Sequence, residues 1–235
     1  MFQIGAGIEN ATPPERPLTA EYIDAWAVRL YSDPKNSGVR HQVIANYVEA
    51  VGRLVLKSEQ IASKAGFYIK PTFVNIPPAA TQHEIYDLYE SYFQGLYKTL
   101  SSLAAITSLY PETYNRLPAR SMKRFLDAVA KLDTDIAPAC DLLEQTRKYR
   151  TLLDHPAGAP VSNWISFRHG GGYGLQIIFY GYKNDSGEIP GGAEEITFPF
   201  PTDADWVFNV PFVPYANQAL RDLTDVLFEK LAKAT

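Results

Sequence analysis

The sequence is poor in cysteine, histidine and long apolar runs, and each scarcity excludes a class of protein. One cysteine among 235 residues cannot form an internal disulfide, so a disulfide-stabilised secreted scaffold is excluded. Four histidines and one cysteine supply no zinc-ligand spacing, and we predict no metal site and no cofactor. No apolar run approaches the roughly 18 residues of a membrane span, so we expect no membrane partner.

Common catalytic and targeting signatures are also missing. The glycines at 170–174 are not followed by Lys-Ser or Lys-Thr, which favours a hairpin turn over a phosphate-binding loop. No Gly-x-Ser-x-Gly segment occurs, so a hydrolase nucleophile elbow is not predicted. Residues 1–17 do not combine a basic start with a long apolar run, so we expect no signal peptide and a cytoplasmic location.

The composition is that of a globular protein. Apolar residues make up 46% of the chain and charged residues 20%, which is enough material for a packed core. The net charge of −4 argues against attraction of the whole surface to nucleic acid or anionic lipid. The 22 lysines and arginines nevertheless leave a local basic patch open.

Apolar residues recur at three- and four-residue spacing, which predicts amphipathic helices. The first predicted helix is short and begins at Thr19. The others cover about 39–65, 81–110, 119–132, 135–154 and 214–233. The capping box Thr81-Gln82-His83-Glu84 predicts the start of the longest one. Four long helices joined by short or moderate loops predict an up-and-down bundle.

The residue pattern changes after Pro156, where runs of β-branched and aromatic residues alternate with glycine-rich segments typical of turns. These runs predict three or four antiparallel strands, at 164–167, 175–182, 196–198 and 206–210. The predicted fold is therefore mainly α, in the α+β class. It has an irregular N-terminal arm (1–17), a helical bundle (18–156) and a β segment with a C-terminal helix (157–235) that packs on the bundle.

Two conspicuous features have packing explanations. Cys140 lies in an apolar helical stretch and is predicted to be a small core residue. The tyrosines of the long helix favour core and groove packing over a base-stacking platform; they are Tyr86, Tyr89, Tyr92 and Tyr97.

One constellation points to chemistry, at the end of the helix that covers 135–154. Arg150 and His155 stand five residues apart, and Pro156 disfavours helical geometry at His155, so the imidazole should lie just beyond the last turn. A guanidinium can hold a phosphate oxygen while an imidazole moves a proton. We therefore name Arg150 and His155 as candidate catalytic residues, and Arg147, Lys148 and Tyr149 as candidate substrate-binding residues.

The same residues have a structural explanation. Arg150 and Asp154 are spaced as an i,i+4 ion pair, and basic residues near a helix C-terminus are favoured by the helix dipole. Both explanations stay open at the level of the sequence.

The segment Tyr149-Arg150-Thr151-Leu152-Leu153-Asp154-His155 resembles the Arg-x4-6-His signature of HEPN domains, which are small helical bundles. An earlier aromatic helix, Tyr92-Phe93-Gln94-Gly95-Leu96-Tyr97, adds to the likeness, which covers about residues 39–156. The resemblance implies a homodimer in which Arg150 and His155 of two protomers cleave RNA without metal. Thr151 stands where the family usually has Asn, Asp or His. Many members of the family are non-catalytic.

Two hypotheses follow. The first, which we place slightly ahead, is a non-enzymatic HEPN-like binding or assembly protein with RNA or a protein as its partner. It predicts Arg150 tied to an acid. The second is a metal-independent endoribonuclease of toxin or defence type, and it predicts Arg150 and His155 facing solvent in a basic groove.

Overall fold

The computed structural model describes residues 2–8, 16–66, 69–70, 73–74, 78–154, 161–169, 172–180 and 213–233. The prediction of a mainly helical protein is confirmed. The helices of the described residues are α1 (Ala20–Tyr31), α2 (Val39–Gly66), α3 (Ala79–Ser108), α4 (Pro111–Tyr114), α5 (Met122–Leu132), α6 (Ala137–Asp154) and α7 (Val213–Lys233). The strands are β1 (Phe2–Ile8), β2 (Ile69–Lys70), β3 (Phe73–Val74), β4 (Val161–His169) and β5 (Gly172–Tyr180).

Helix starts show where local sequence signals succeed and fail. Thr19 caps α1 as predicted, because its hydroxyl accepts a hydrogen bond of 3.2 Å from the backbone N–H of Tyr22. The predicted capping box at Thr81 was wrong, because α3 begins two residues earlier, at Ala79. The Glu84 carboxylate instead forms a salt bridge with Lys64 on α2.

The described residues form two compact units, and each is assembled from three separate stretches of the chain. Unit 1 comprises residues 1–13, 57–93 and 145–213, and unit 2 comprises residues 14–56, 94–144 and 214–235. The division does not follow the predicted boundary at residue 156. Helix α7, predicted to accompany the β segment, belongs to the mainly helical unit 2 from Pro214 onward.

Unit 1 contains the strands, the C-terminal end of α2 and the N-terminal end of α3. Strands β1, β5 and β4 form an antiparallel sheet in that order, and β2 pairs with β3. The segment predicted to be an irregular arm thus supplies β1. The predicted strands at 196–198 and 206–210 lie outside the described residues, so the predicted β segment as a whole stays a prediction.

Helix α7 is the centre of unit 2, since it bonds to three other helices. The Tyr47 hydroxyl of α2 shares a buried hydrogen bond with Thr224. The Asp225 carboxylate accepts from the Tyr22 hydroxyl (2.6 Å) and the Trp26 indole (3.0 Å) of α1. The Tyr114 hydroxyl of α4 donates to the Leu227 carbonyl at 2.5 Å. The apolar face of α7 is buried beneath these bonds; it includes Leu220, Leu223, Leu227, Phe228 and Leu231.

Candidate functional site

Of the two predicted catalytic residues, the structure describes Arg150 but not His155. Helix α6 ends at Asp154, so Arg150 lies in its last turns, as expected. Arg147 and Arg150 are half-buried and each takes part in an interaction with the rest of the chain. Lys148 and Tyr149 lie on the same helix. His155 lies outside the described residues, so its pairing with Arg150 stays a prediction.

The packing explanation is confirmed for Tyr89, Tyr92 and Cys140, whereas Tyr97 is half-buried and the side chain of Tyr86 lies outside what the structure describes. Tyr89 and Tyr92 of α3 are fully buried, and Tyr92 donates a hydrogen bond to the Val213 carbonyl at 3.3 Å. Burial raises the pKa of both phenols. Cys140 is buried, and its burial together with Asp141 and Asp127 raises the pKa of the thiol to about 12. A thiol in that state is a core residue and a poor nucleophile at neutral pH.

Two further properties of the described residues concern metal binding and the membrane. Within the described ranges, no group of three or more His, Cys, Asp or Glu side chains is placed to hold a metal ion. In the same part of the chain, no helix is both long and apolar enough to cross a membrane.

A cluster of basic side chains lies in unit 2, in the turn between α4 and α5 and in the first turn of α5. Arg116, Arg120, Lys123 and Arg124 are all exposed. No acidic residue lies between Glu112 and Asp127. None of the four side chains forms a salt bridge or hydrogen bond with any residue that the structure describes. We call these four residues the cationic stretch.

Helix α4 fixes the start of the cationic stretch, because it is held at both ends. Tyr110, its N-cap, donates from its hydroxyl to the buried Asn36 side chain, which itself donates to the Leu30 carbonyl at 2.7 Å. Tyr114, its last residue, is buried and bonded to Leu227 of α7. The chain therefore leaves α4 from a fixed point in the core.

The turn that follows is strained. Asn115 and Arg116 have φ values of 48° and 57°, in the left-handed region. Asn is tolerated there at a helix C-cap, but Arg is uncommon. Buried Tyr114 and buried Leu117 flank the pair and hold it in this conformation. Strain held by its surroundings is a mark of functional segments, and here it directs Arg116 into solvent.

The start of α5 is electrostatically unfavourable. Ser121 is the N-cap, so Lys123 and Arg124 occupy the first turn, which contains no acidic residue. The N-terminus of a helix carries partial positive charge, and cations there cost stability where anions would add it. The apolar stripe of α5 faces the core, so both cations lie on the solvent side; the stripe consists of Met122, Phe125, Leu126 and Val129.

The cationic stretch thus concentrates positive charge at one place on an acidic protein. Four exposed cations, none in a salt bridge with a residue that the structure describes, and a helix N-terminus together make a site for an anion. Sequence reasoning left a local basic patch open without locating it. The available signal was four basic residues in nine positions (116–124) without an acid. Their exposure, and the lack of salt-bridge partners among the residues that the structure covers, became clear only from the structure.

No protein-family model, curated protein or solved structure matches this chain. The HEPN resemblance therefore stays a prediction that rests on the residues quoted for it.

Proposed function

We propose that this protein is a non-enzymatic, HEPN-like helical protein that binds an anionic macromolecule through the cationic stretch. The observation that carries the proposal is the exposure of four cations that form no salt bridge within the described part of the chain, two of them at the positive end of α5. A side chain that opposes the dipole of its own helix costs stability in the isolated protein. An anionic partner removes that cost, so the arrangement suits a binding surface.

Further parts of the proposal rest on other residues. A homodimer with up-and-down helices is what the HEPN resemblance implies. Arg150, half-buried and engaged in an interaction, suits a structural role better than an open catalytic groove. The single cysteine is buried and unpaired, which suits a reducing compartment such as the cytoplasm.

The direct test is salt-dependent retention on immobilised heparin, a generic polyanion. The quadruple variant Arg116→Gln, Arg120→Gln, Lys123→Gln and Arg124→Gln should elute at much lower salt than wild type. A matched variant removes four exposed cations elsewhere in unit 2: Arg53→Gln, Lys98→Gln, Lys230→Gln and Lys233→Gln. It has the same net charge and should elute close to wild type. If both variants lose heparin retention equally, the retention depends on net charge alone, and the proposal is contradicted.

A second candidate is the metal-independent endoribonuclease. The support for this candidate is the sequence motif, in which Arg150 and His155 stand five residues apart and Pro156 disfavours helical geometry at His155. The test is cleavage of a mixed single-stranded RNA pool with EDTA present. Cleavage that is lost in both Arg150→Ala and His155→Ala, with folding and assembly kept, would establish the nuclease. A folded wild type that does not cleave would leave the binding function.

A further inference from the structure

We infer that the partner of the cationic stretch is a nucleic-acid duplex, held through its phosphate backbone without reading of the bases. This inference rests on the proposed function and adds the chemical class of the partner. It follows from what surrounds the four cations as much as from the cations themselves.

The first argument is the choice of cation. Three of the four residues are arginine, whose planar guanidinium forms paired hydrogen bonds with phosphate oxygens. The chain from Arg116 to Arg124 spans at most about 30 Å at the length of an extended residue. A duplex carries one negative charge per roughly 1.7 Å of its axis, so all four cations can reach phosphates of one duplex.

The second argument is the burial of every large apolar side chain among the cations. Leu117, Met122 and Phe125 are at most 8% exposed. A membrane-inserting helix needs an exposed apolar face, and a peptide partner is usually anchored by an apolar pocket or aromatic residue. Residues 116–125 expose no large apolar or aromatic side chain of this kind. The polyanion must be recognised by charge and hydrogen bonding alone.

The third argument separates duplexes from single strands. Proteins that hold single-stranded nucleic acid stack the bases on exposed aromatic side chains. The aromatic residues nearest in sequence, Tyr114 and Phe125, are 1% and 0% exposed. Residues 116–125 therefore offer cations for phosphates and no stacking platform for bases, and a duplex presents phosphates at the highest density with its bases already stacked.

The experiment measures binding of the full chain to four fluorescent probes by anisotropy over a salt series. The probes are an RNA duplex, a DNA duplex of the same sequence, one of the single strands, and polyglutamate. Both duplexes should bind with a Kd of about 10⁻⁴–10⁻⁶ M at physiological salt. The logarithm of the binding constant should fall with the logarithm of salt with a slope of about −3.6, which corresponds to four contacted phosphates.

Variants connect the binding to the named residues. Each single Arg or Lys to Gln change in the cationic stretch should make the slope shallower by about 0.9, because one phosphate contact is lost. The quadruple variant should lose more than tenfold in affinity. The matched Arg53, Lys98, Lys230 and Lys233 variant should keep the wild-type slope. Preference for one of the two duplexes would identify RNA or DNA as the source of the phosphates.

The outcomes separate this inference from the proposed function. If the cationic stretch is required for heparin retention but neither duplex binds, the inference fails while the proposed function stands. Tighter binding of the single strand or of polyglutamate than of either duplex would also overturn the inference. If the quadruple and matched variants elute alike from heparin, the proposed function fails first.

Discussion

The hydroxyl of Ser121 accepts a hydrogen bond from the backbone N–H of Arg124, 3.5 Å away, and so caps the N-terminus of α5. In a capping box the residue at the position of Arg124 would carry a carboxylate, whereas here it carries a positive charge. A Glu at this position would reach back to the N–H of Ser121 and complement the helix dipole. Arg124 does neither. Helix α5 is therefore less stable than it would be with an acidic residue at this position, and its surface carries more positive charge.

Arg124→Glu should stabilise the protein while it weakens binding. It completes the capping box and removes a cation from the first turn, so the free energy of unfolding should rise by about 0.5–1.5 kcal/mol. Urea unfolding at low salt measures the change. Arg124→Gln serves as the control, since it can complete the hydrogen bond without the favourable charge, and it should gain less. A loss of stability in Arg124→Glu would show that the wild-type side chain makes a stabilising contact.

Arg116→Gly should also raise stability, for a backbone reason. Arg116 has a φ of 57°, a conformation that costs an ordinary residue roughly 1 kcal/mol and glycine almost nothing. Arg116→Ala is the matched comparison, because it removes the same charge and keeps the strain. The two variants should lose heparin retention equally, and only the glycine variant should gain in thermal unfolding. Identical melting curves would mean that the strain does not exceed the entropy that glycine adds to the unfolded chain.

The Tyr47–Thr224 pair should respond asymmetrically to removal of either hydroxyl. The single proton of the Thr224 hydroxyl is donated to the Leu220 carbonyl at 2.7 Å, so the Tyr47 hydroxyl is the donor in the buried bond between them. Tyr47→Phe should cost about 0.5–1.5 kcal/mol. Thr224→Val leaves the phenol buried without its acceptor and should cost about 1–3 kcal/mol.

A double-mutant cycle in urea checks this assignment. The combined variant Tyr47→Phe with Thr224→Val should be less destabilised than the sum of the two single variants, because both partners are then removed together. Strict additivity of the two costs would mean that the hydroxyls do not interact.

The buried tyrosines should make the fold sensitive to alkali. Burial raises the pKa of Tyr22, Tyr47, Tyr89, Tyr92 and Tyr114 above the usual value of 10.0. Above pH 10 the unfolded chain loses these protons while the folded chain keeps them, so the free energy of unfolding should fall as pH rises. Tyrosinate absorbance should therefore increase together with the loss of helical circular dichroism. Gradual ionisation of all tyrosines while the helices persist would contradict this burial.

Helices were the part of the fold that the sequence allowed us to predict. Buried stripes such as Ile44, Tyr47 and Val51 recur with the helical period, so α2 was located to within one residue at either end. Helix α4, four residues long, is too short for a period to emerge. The spacing of apolar residues shows that a helix has a buried face, but it does not show which helix packs against that face. Only the structure therefore showed that α7 belongs to unit 2 from Pro214 onward.

The binding surface was less accessible to prediction for a similar reason. The basic residues from Arg116 to Arg124 are visible in the sequence, but a charge run has no orientation of its own. Tyr114 and Leu117 determine that orientation by holding the strained turn against the core, and that is a tertiary effect. The Arg150 motif had a local chemical argument, and its partner His155 lies outside the described residues.

The central position of α7 has a consequence for how the protein forms during synthesis. Helices α1, α2 and α4 bond to a segment that leaves the ribosome only after the residues of unit 1 have been made. Until then, the apolar faces that they bury against α7 have no native partner. We expect the nascent chain to acquire its cooperative stability late, in a step that follows the emergence of residues 213–233.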